Sequence, residues 1–276
     1  MNSYNENNML GLGQKERQQL TALLSNSKVI VSAEEASKIW NIDNDATYKL
    51  LYRLSKKGWL KRIKQGIYLP IPLTSSPDDI LVEEPFVIAE RIFNPCYITG
   101  MNAANYWGLT EQIFITTTVM TQKMVRNRTQ VIADNEYKIH TIKSKYFFGL
   151  KSIWFDDVKV NIADPSRLIL DMLVFPDFCG GIRFCIEVFK NYIKSDKKDL
   201  ILLQEYILKL KNYAAIKRLG FITEKYFKEE ESLIKFCYDC INNDNTKKGI
   251  IKIDPLLNCN VEIKKWRLLI PKSLDI

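Results

Sequence analysis

Seven cations, Lys49, Arg53, Lys56, Lys57, Lys61, Arg62 and Lys64, fall between Ala46 and Gly66 with no Asp or Glu among them. Uncompensated charge at that density sets up a field that attracts a polyanion, and nucleic-acid binding is the chemistry such a run points to. The charge is local. Residues 1–73 hold 11 Lys and Arg against 6 Asp and Glu, whereas residues 74–276 hold 29 against 26. Most of the net +8 of the 276-residue chain therefore sits near its N-terminal end.

The residues around this run dictate how the charge is presented. Asn41-Ile42-Asp43-Asn44 is turn-rich, and Asn44 or Asp45 can cap a helix. Apolar residues then recur at Leu50, Leu51 and Leu54 until Gly58 offers a stop, so the spacing predicts a helix over Asp45–Lys57. Its buried stripe leaves Tyr48, Lys49, Tyr52, Arg53 and Lys56 on the opposite face. Ser32 and Glu35 have capping-box spacing and start a short helix through Trp40. Upstream, Lys15–Ser25 places Leu20, Leu23 and Leu24 at helical spacing, and Val29-Ile30-Val31 is a β-branched run suited to a strand. Downstream, Trp59–Ile63 and Ile67–Leu69 flank Lys64-Gln65-Gly66, which reads as a hairpin.

Helix, strand, helix, turn, helix, hairpin is the order of a winged helix-turn-helix. In that geometry the third helix enters the major groove and the hairpin tip reaches phosphates or the minor groove. Tyr48, Lys49, Tyr52 and Arg53 are then the candidates for base-edge or groove contact, and Lys56, Lys61, Arg62, Lys64 and Gln65 for backbone contact. Two other readings compete: a solvated charged face, and a winged helix that docks a protein.

Residues 1–13, rich in Asn and Gly, read as a disordered tail, and Pro70-Ile71-Pro72-Leu73-Thr74-Ser75-Ser76-Pro77 reads as a linker. The expected domains are 14–73 and 74–276. In the second, helices are predicted over Phe86–Phe93 and Thr99–Trp107, and strands over Ile113–Met120, Tyr137–Ile142, Ile153–Phe155 and Val158–Ala163. Asp164 and Pro165 then open a helix through Leu173. From Ile182 onward the chain reads as almost wholly helical, with segments at 183–193, 198–211, 212–219 and 227–242 and a helical extension over about 226–276. The fold class is α+β: an N-terminal winged helix-turn-helix followed by a mixed α/β domain with a small sheet and a helical C-terminal half.

Other chemistry finds less support. Among the six cysteines only Cys237 and Cys240 form a CxxC pair, without a second pair or a nearby His, so buried thiols fit better than a four-ligand metal site. His140, the single histidine, lies in an alternating stretch and reads as a strand surface residue; a Cys–His nucleophile pair is the competing chemistry. Asp164, Arg167 and Asp171 share one helical face, as a capped helix with a surface ion pair or as a functional patch. Tyr97, Asn102, Tyr106 and Trp107 read as a recognition surface or as core aromatics. No phosphate loop, H-E-x-x-H or G-x-S-x-G string is present. The acidic doublets Asp78-Asp79, Glu83-Glu84 and Asp156-Asp157 read as loop or helix-start charges. Neither a run of 18 apolar residues nor a secretory h-region appears, which points to the cytoplasm.

RLSKKGWLKRIKQGIYLP at the end of the winged helix, then CYITGMNAANYWGLTEQ, then ADPSRLILDML with Pro176 and Gly180-Gly181-Ile182 after it, together resemble the AbiEi family of antitoxins from type IV toxin-antitoxin systems. The resemblance spans about residues 14–225. It implies a bacterial autorepressor whose winged helix binds inverted repeats in its own promoter and whose C-terminal domain neutralises a nucleotidyltransferase-like toxin without requiring a stable complex. The resemblance places the chain in abortive infection, a phage defence; no cofactor and no catalytic residue are expected, since no catalytic motif is found. A DNA-binding nuclease with scattered carboxylate ligands is the alternative function.

Overall fold

The computed structural model describes residues 11–26, 30–71, 85–155, 158–243 and 249–274. Most of the expected tail, most of the expected linker, and the doublets at 78–79, 83–84 and 156–157 lie outside these. The chain divides into two compact units, residues 1–92 with 131–134 and residues 93–130 with 135–276.

In the first unit, α1 (Gln14–Asn26) is followed by β1 (Val31–Ser32), α2 (Ala33–Trp40), α3 (Asn44–Lys56), β2 (Leu60–Lys64) and β3 (Ile67–Pro70). Ser32 ends the strand and caps the helix. Its hydroxyl accepts from the Glu35 N–H at 3.1 Å, while the Glu35 carboxylate accepts from the Ser32 N–H at 2.9 Å, so two orphan donors are satisfied reciprocally. The cap of α3 is Asp43 rather than Asn44 or Asp45: its carboxylate accepts from the Ala46 N–H at 2.8 Å, which puts both later residues inside the first turn. Leu20 and Leu23 of α1, Ala36 of α2, and Leu50, Leu51 and Leu54 of α3 close on Val31, Leu60 and Tyr68 to form one core. Each Leu buried there stabilises by roughly 1.5–3 kcal/mol. The strands form an antiparallel sheet in the order β1-β3-β2, with Val31 opposite Tyr68 and Leu60 opposite Pro70. Three helices and a three-stranded wing are the expected winged helix-turn-helix.

The remaining elements are α4 (Pro85–Phe93), β4 (Cys96–Ile98), α5 (Gly100–Tyr106), β5 (Thr117–Thr121), β6 (Thr129–Ile132), β7 (Asn135–Thr141), β8 (Leu150–Phe155), β9 (Val158–Ala163), α6 (Pro165–Val174), α7 (Ile182–Lys194), α8 (Leu200–Leu210), α9 (Tyr213–Tyr226), α10 (Glu231–Asn242), β10 (Ile251–Lys252), β11 (Val261–Ile263) and β12 (Leu268–Ile270). Strands β4 to β9 make one mixed sheet in the order β6-β7-β5-β4-β9-β8. β5 runs parallel to β7, and β4 parallel to β9 with Ile98 opposite Ile162. The fold is α+β, as expected.

The structure departs from the sequence reading at further places, among them α9, which continues to Tyr226 past the predicted end at 219. The strand predicted from Ile113 starts only at Thr117, because Ile113 and Ile115 stand 88% and 83% exposed in a loop. β4 and β6 were not anticipated. Over 249–274 the described chain forms no α-helix, only a 3-10 turn at Lys264–Trp266: β10, β12 and β11 make a third sheet, and two- to three-residue strands are too short to show a period-2 pattern.

Candidate nucleic-acid interface and buried polar centre

Helix α3 buries Thr47, Leu50, Leu51 and Leu54, three and four residues apart. Tyr48, Lys49, Tyr52, Arg53 and Lys56 therefore stand exposed on the other side. Ala46, Lys49, Tyr52 and Arg53 line a shallow surface cleft, and Lys56 Nζ lies 5.6 Å from the centroid of the Tyr52 ring. Cations and an aromatic face combined on one helix suit a major-groove wall, where hydrogen-bond donors meet base edges and phosphates. On the wing, Arg62 and Gln65 are exposed; the side chain of Lys64 lies outside the described structure.

Among the described side chains, Lys57 and Lys61 have acidic partners. Lys57 Nζ is 2.5 Å from the Glu16 carboxylate of α1, with both side chains largely covered. The hydrogen bond from Lys57 holds the Glu16 carboxyl below its ordinary range. Lys61 Nζ lies 2.7 Å from Asp134, whose side chain is 85% exposed, and an ion pair that wet contributes little. Lys61 stays available to a phosphate at small cost, whereas Lys57 is held. The exposed cations that α3 and the wing offer, among the described side chains, are Lys49, Arg53, Lys56 and Arg62.

Asp164, Arg167 and Asp171 do come together, but not at the surface. Residues Ser166 to Leu173 of α6 are all buried, because the helix packs against α5, α7, α8, α9 and β9. Arg167 Nε donates to Asp171 Oδ1 at 2.9 Å, and its Nη2 donates to the Tyr97 hydroxyl at 2.8 Å. That hydroxyl and Thr99 Oγ1 donate to Asp171 Oδ2 at 3.0 and 2.9 Å. The guanidinium also lies 4.4 Å from the Phe148 ring centroid. Asp164 caps the helix through the Arg167 N–H at 2.8 Å and accepts from the Tyr206 hydroxyl at 2.7 Å. Burial raises the Tyr97 phenol well above its ordinary value. Burial likewise lifts the Asp164 carboxyl, against the opposing pull of its hydrogen bonds. A charged centre with its lone pairs satisfied and no exposed member organises a core; it does not present a docking patch. Thr99, Phe148 and Tyr206 carry no sequence signal that would have joined them to it.

The remaining candidates resolve similarly. Tyr97 and Asn102 are buried, Asn102 accepting from the Thr118 N–H at 2.8 Å, and Trp107 donates to the Ala163 carbonyl at 2.7 Å. Only Tyr106 of that group is exposed. His140 is half-buried rather than a free strand-surface residue, its ring 4.2 Å from that of Phe175. Burial, with the Arg128 charge adding, pulls its pKa below the ordinary value. Burial pushes the Cys179, Cys185 and Cys237 thiols up, which leaves them protonated and unreactive. Among the described residues no three of His, Cys, Asp and Glu lie close enough together to hold a metal ion. Nor, among them, is any helix long and apolar enough to cross a membrane.

Residues 18–71 match the family of transcriptional regulators described as AbiEi antitoxins, so the resemblance read from the sequence holds over the winged helix. No curated protein matches the chain. Among solved structures, the RV2827C protein from Mycobacterium tuberculosis aligns with a TM-score of 0.60 at 11% identity, over 96% of this chain and 94% of that one. At that identity the likeness is one of fold.

Proposed function

We propose that this chain, whose residues 18–71 match the AbiEi antitoxin family of transcriptional regulators, is a non-enzymatic autorepressor and antitoxin that acts in the bacterial cytoplasm. In this reading α3 lies in the major groove of inverted repeats in the promoter of its own operon. Lys49, Tyr52 and Arg53 meet base edges, Lys56 and the wing residues Arg62 and Gln65 hold phosphates, and the second unit neutralises a nucleotidyltransferase-like toxin of a type IV abortive-infection system without a lasting complex. The observation that carries it is the exposed cationic face of α3, with its apolar stripe turned into the core. Charge at that face steers an anionic duplex and releases counterions on contact, so affinity falls steeply with salt.

The test uses the full-length protein. Gel retardation of the upstream fragment and a promoter-reporter readout are compared between parent and a Lys49→Ala, Arg53→Ala double variant. Loss of retardation and repression, with rescue from the adjacent toxin retained, is the expected pattern. Parent-like repression by the double variant would overturn the DNA assignment. Incubation with plasmid and Mg²⁺ checks the non-enzymatic part, since cleavage there would overturn it.

A further inference from the structure

Tyr48 differs from the other exposed residues of α3 in what it touches. Successive helical residues are about 100° apart, which sets Tyr48 on one flank of the reading face and Arg53 on the other. On the Tyr48 flank lies the wing turn. Gly66 there has φ +75°, and a Cβ built on it would sit 3.2 Å from the Tyr48 hydroxyl and 3.7 Å from its Cε1. The phenol thus rests over the glycine; a Cβ there would press on it more tightly than an ordinary contact, in a left-handed backbone conformation that favours glycine. The opposite side of the turn is fixed too, since the Gly66 carbonyl accepts from the Ala33 N–H at the start of α2 at 2.7 Å. Midway along the wing Arg62 pairs across the sheet with Tyr68. Burial raises the Tyr68 phenol, the Arg62 guanidinium opposes that and the Tyr48 phenol adds to it, which places all three side chains in one electrostatic neighbourhood.

We infer that Tyr48 is a positioning residue that clamps the wing turn at Gly66 and thereby sets where Arg62 meets the DNA backbone, and that it reads no base itself. This assigns to Tyr48 a role different from that of Lys49, Tyr52 and Arg53, and it rests on the DNA-binding reading above. A wing held from both sides delivers its guanidinium to a phosphate without an ordering cost at the moment of binding. A wing released from α3 keeps the charge but loses the fixed contact.

The experiment measures affinity for the upstream duplex against salt for full-length parent, Tyr48→Ala, Tyr48→Phe, Arg62→Ala and the Tyr48→Ala, Arg62→Ala double variant. One lost phosphate contact lowers the slope of log affinity against log salt by about one unit. We expect Y48A and R62A each to show that fall, the double variant to fall no further, and Y48F, which keeps the ring over Gly66, to match the parent. Additive losses in the double variant, a Y48F loss equal to that of Y48A, or a parent-like slope for Y48A would each overturn the inference. Tyr48→Leu, which keeps bulk on the helix but lacks the reach to Gly66, serves the same comparison if Y48A loses its thermal transition. A parent that retards no duplex at low salt removes the DNA-binding reading and this inference together, whereas a parent that binds while Y48A and R62A add independently removes the inference alone.

Discussion

Arg167 and Asp171 meet inside the second unit, Nε to Oδ1 at 2.9 Å, each 2% exposed. One turn apart on α6, they would contribute a few tenths of a kcal/mol as a surface pair. Buried, they bind the helix to β4 through the Tyr97 hydroxyl and to the strand's end through Thr99. Removing one partner leaves the other charge uncompensated in the core. Asp171→Ala is therefore expected to lower unfolding free energy by about 3–5 kcal/mol, and Arg167→Met with Asp171→Leu together by less than either single change to Ala. Urea titration of the purified variants measures this; a cost below about 1 kcal/mol for D171A would show that solvent reaches the pair.

The physics of that pair also marks the limit of the sequence. An i, i+4 spacing at 167 and 171 is visible locally, but the acceptors and donors that bury it lie 70 or more residues away, at Tyr97 and Thr99. The winged helix was legible because its signals are local: the Ser32–Glu35 cap, the Leu50–Leu54 stripe and the glycine of the wing all act within a few residues. Lys57 looked like one more free cation because its partner Glu16 is 41 positions upstream. β4 is three residues long and runs straight into a helix, and such a short element owes its conformation to β5 and β9 beside it.

His140 offers a clean titration, being the only histidine in the chain. Its ring packs on Phe175 and Phe178, with Arg128 repelling its charged form and Asp171 and Asp177 acting the other way. The folded pKa is lowered, so the stability linked to it is present above the unfolded value near 6.5 and is lost as pH falls through the folded one. His140→Phe keeps the ring contact and removes the proton. The stability difference between parent and H140F is expected to stay constant above about pH 7 and to shift against the parent as pH falls below about 6.5. Parallel stability curves across that range would contradict the assignment.

Gly220 lies in the middle of α9 against the fully buried indole of Trp266, and a methyl group at that position would overlap the ring. The indole is held in turn by its N–H donating to Glu224 at 2.6 Å. Gly220→Ala would gain about 1 kcal/mol of helix propensity on an open helix, yet here overpacking is expected to outweigh it and destabilise by about 1–3 kcal/mol. Adding Trp266→Leu should make the Ala better tolerated than it is beside Trp266. A thermal melt of G220A above that of the parent would mean that the indole moves aside freely.

Glu16 and Lys57 link the end of the third helix back to the first, and the link restrains one of the clustered cations. The Glu16 carboxyl is held low by the Lys57 hydrogen bond, so its stabilising effect is present above the unfolded carboxyl value and lost as pH falls through the folded one. Glu16→Gln removes the negative charge while keeping a side chain of similar shape. Lys57 is then free to swing toward a phosphate, and the net positive field at α3 rises. Affinity of E16Q for an unrelated duplex is expected to exceed the parent's several-fold at low salt, with a salt slope steeper by up to about one unit. Discrimination between the operon's own promoter and the unrelated duplex should narrow, because the gain comes from a contact that carries no sequence information. Identical affinities and slopes for E16Q and parent would show that Lys57 already reaches the backbone in spite of its carboxylate partner.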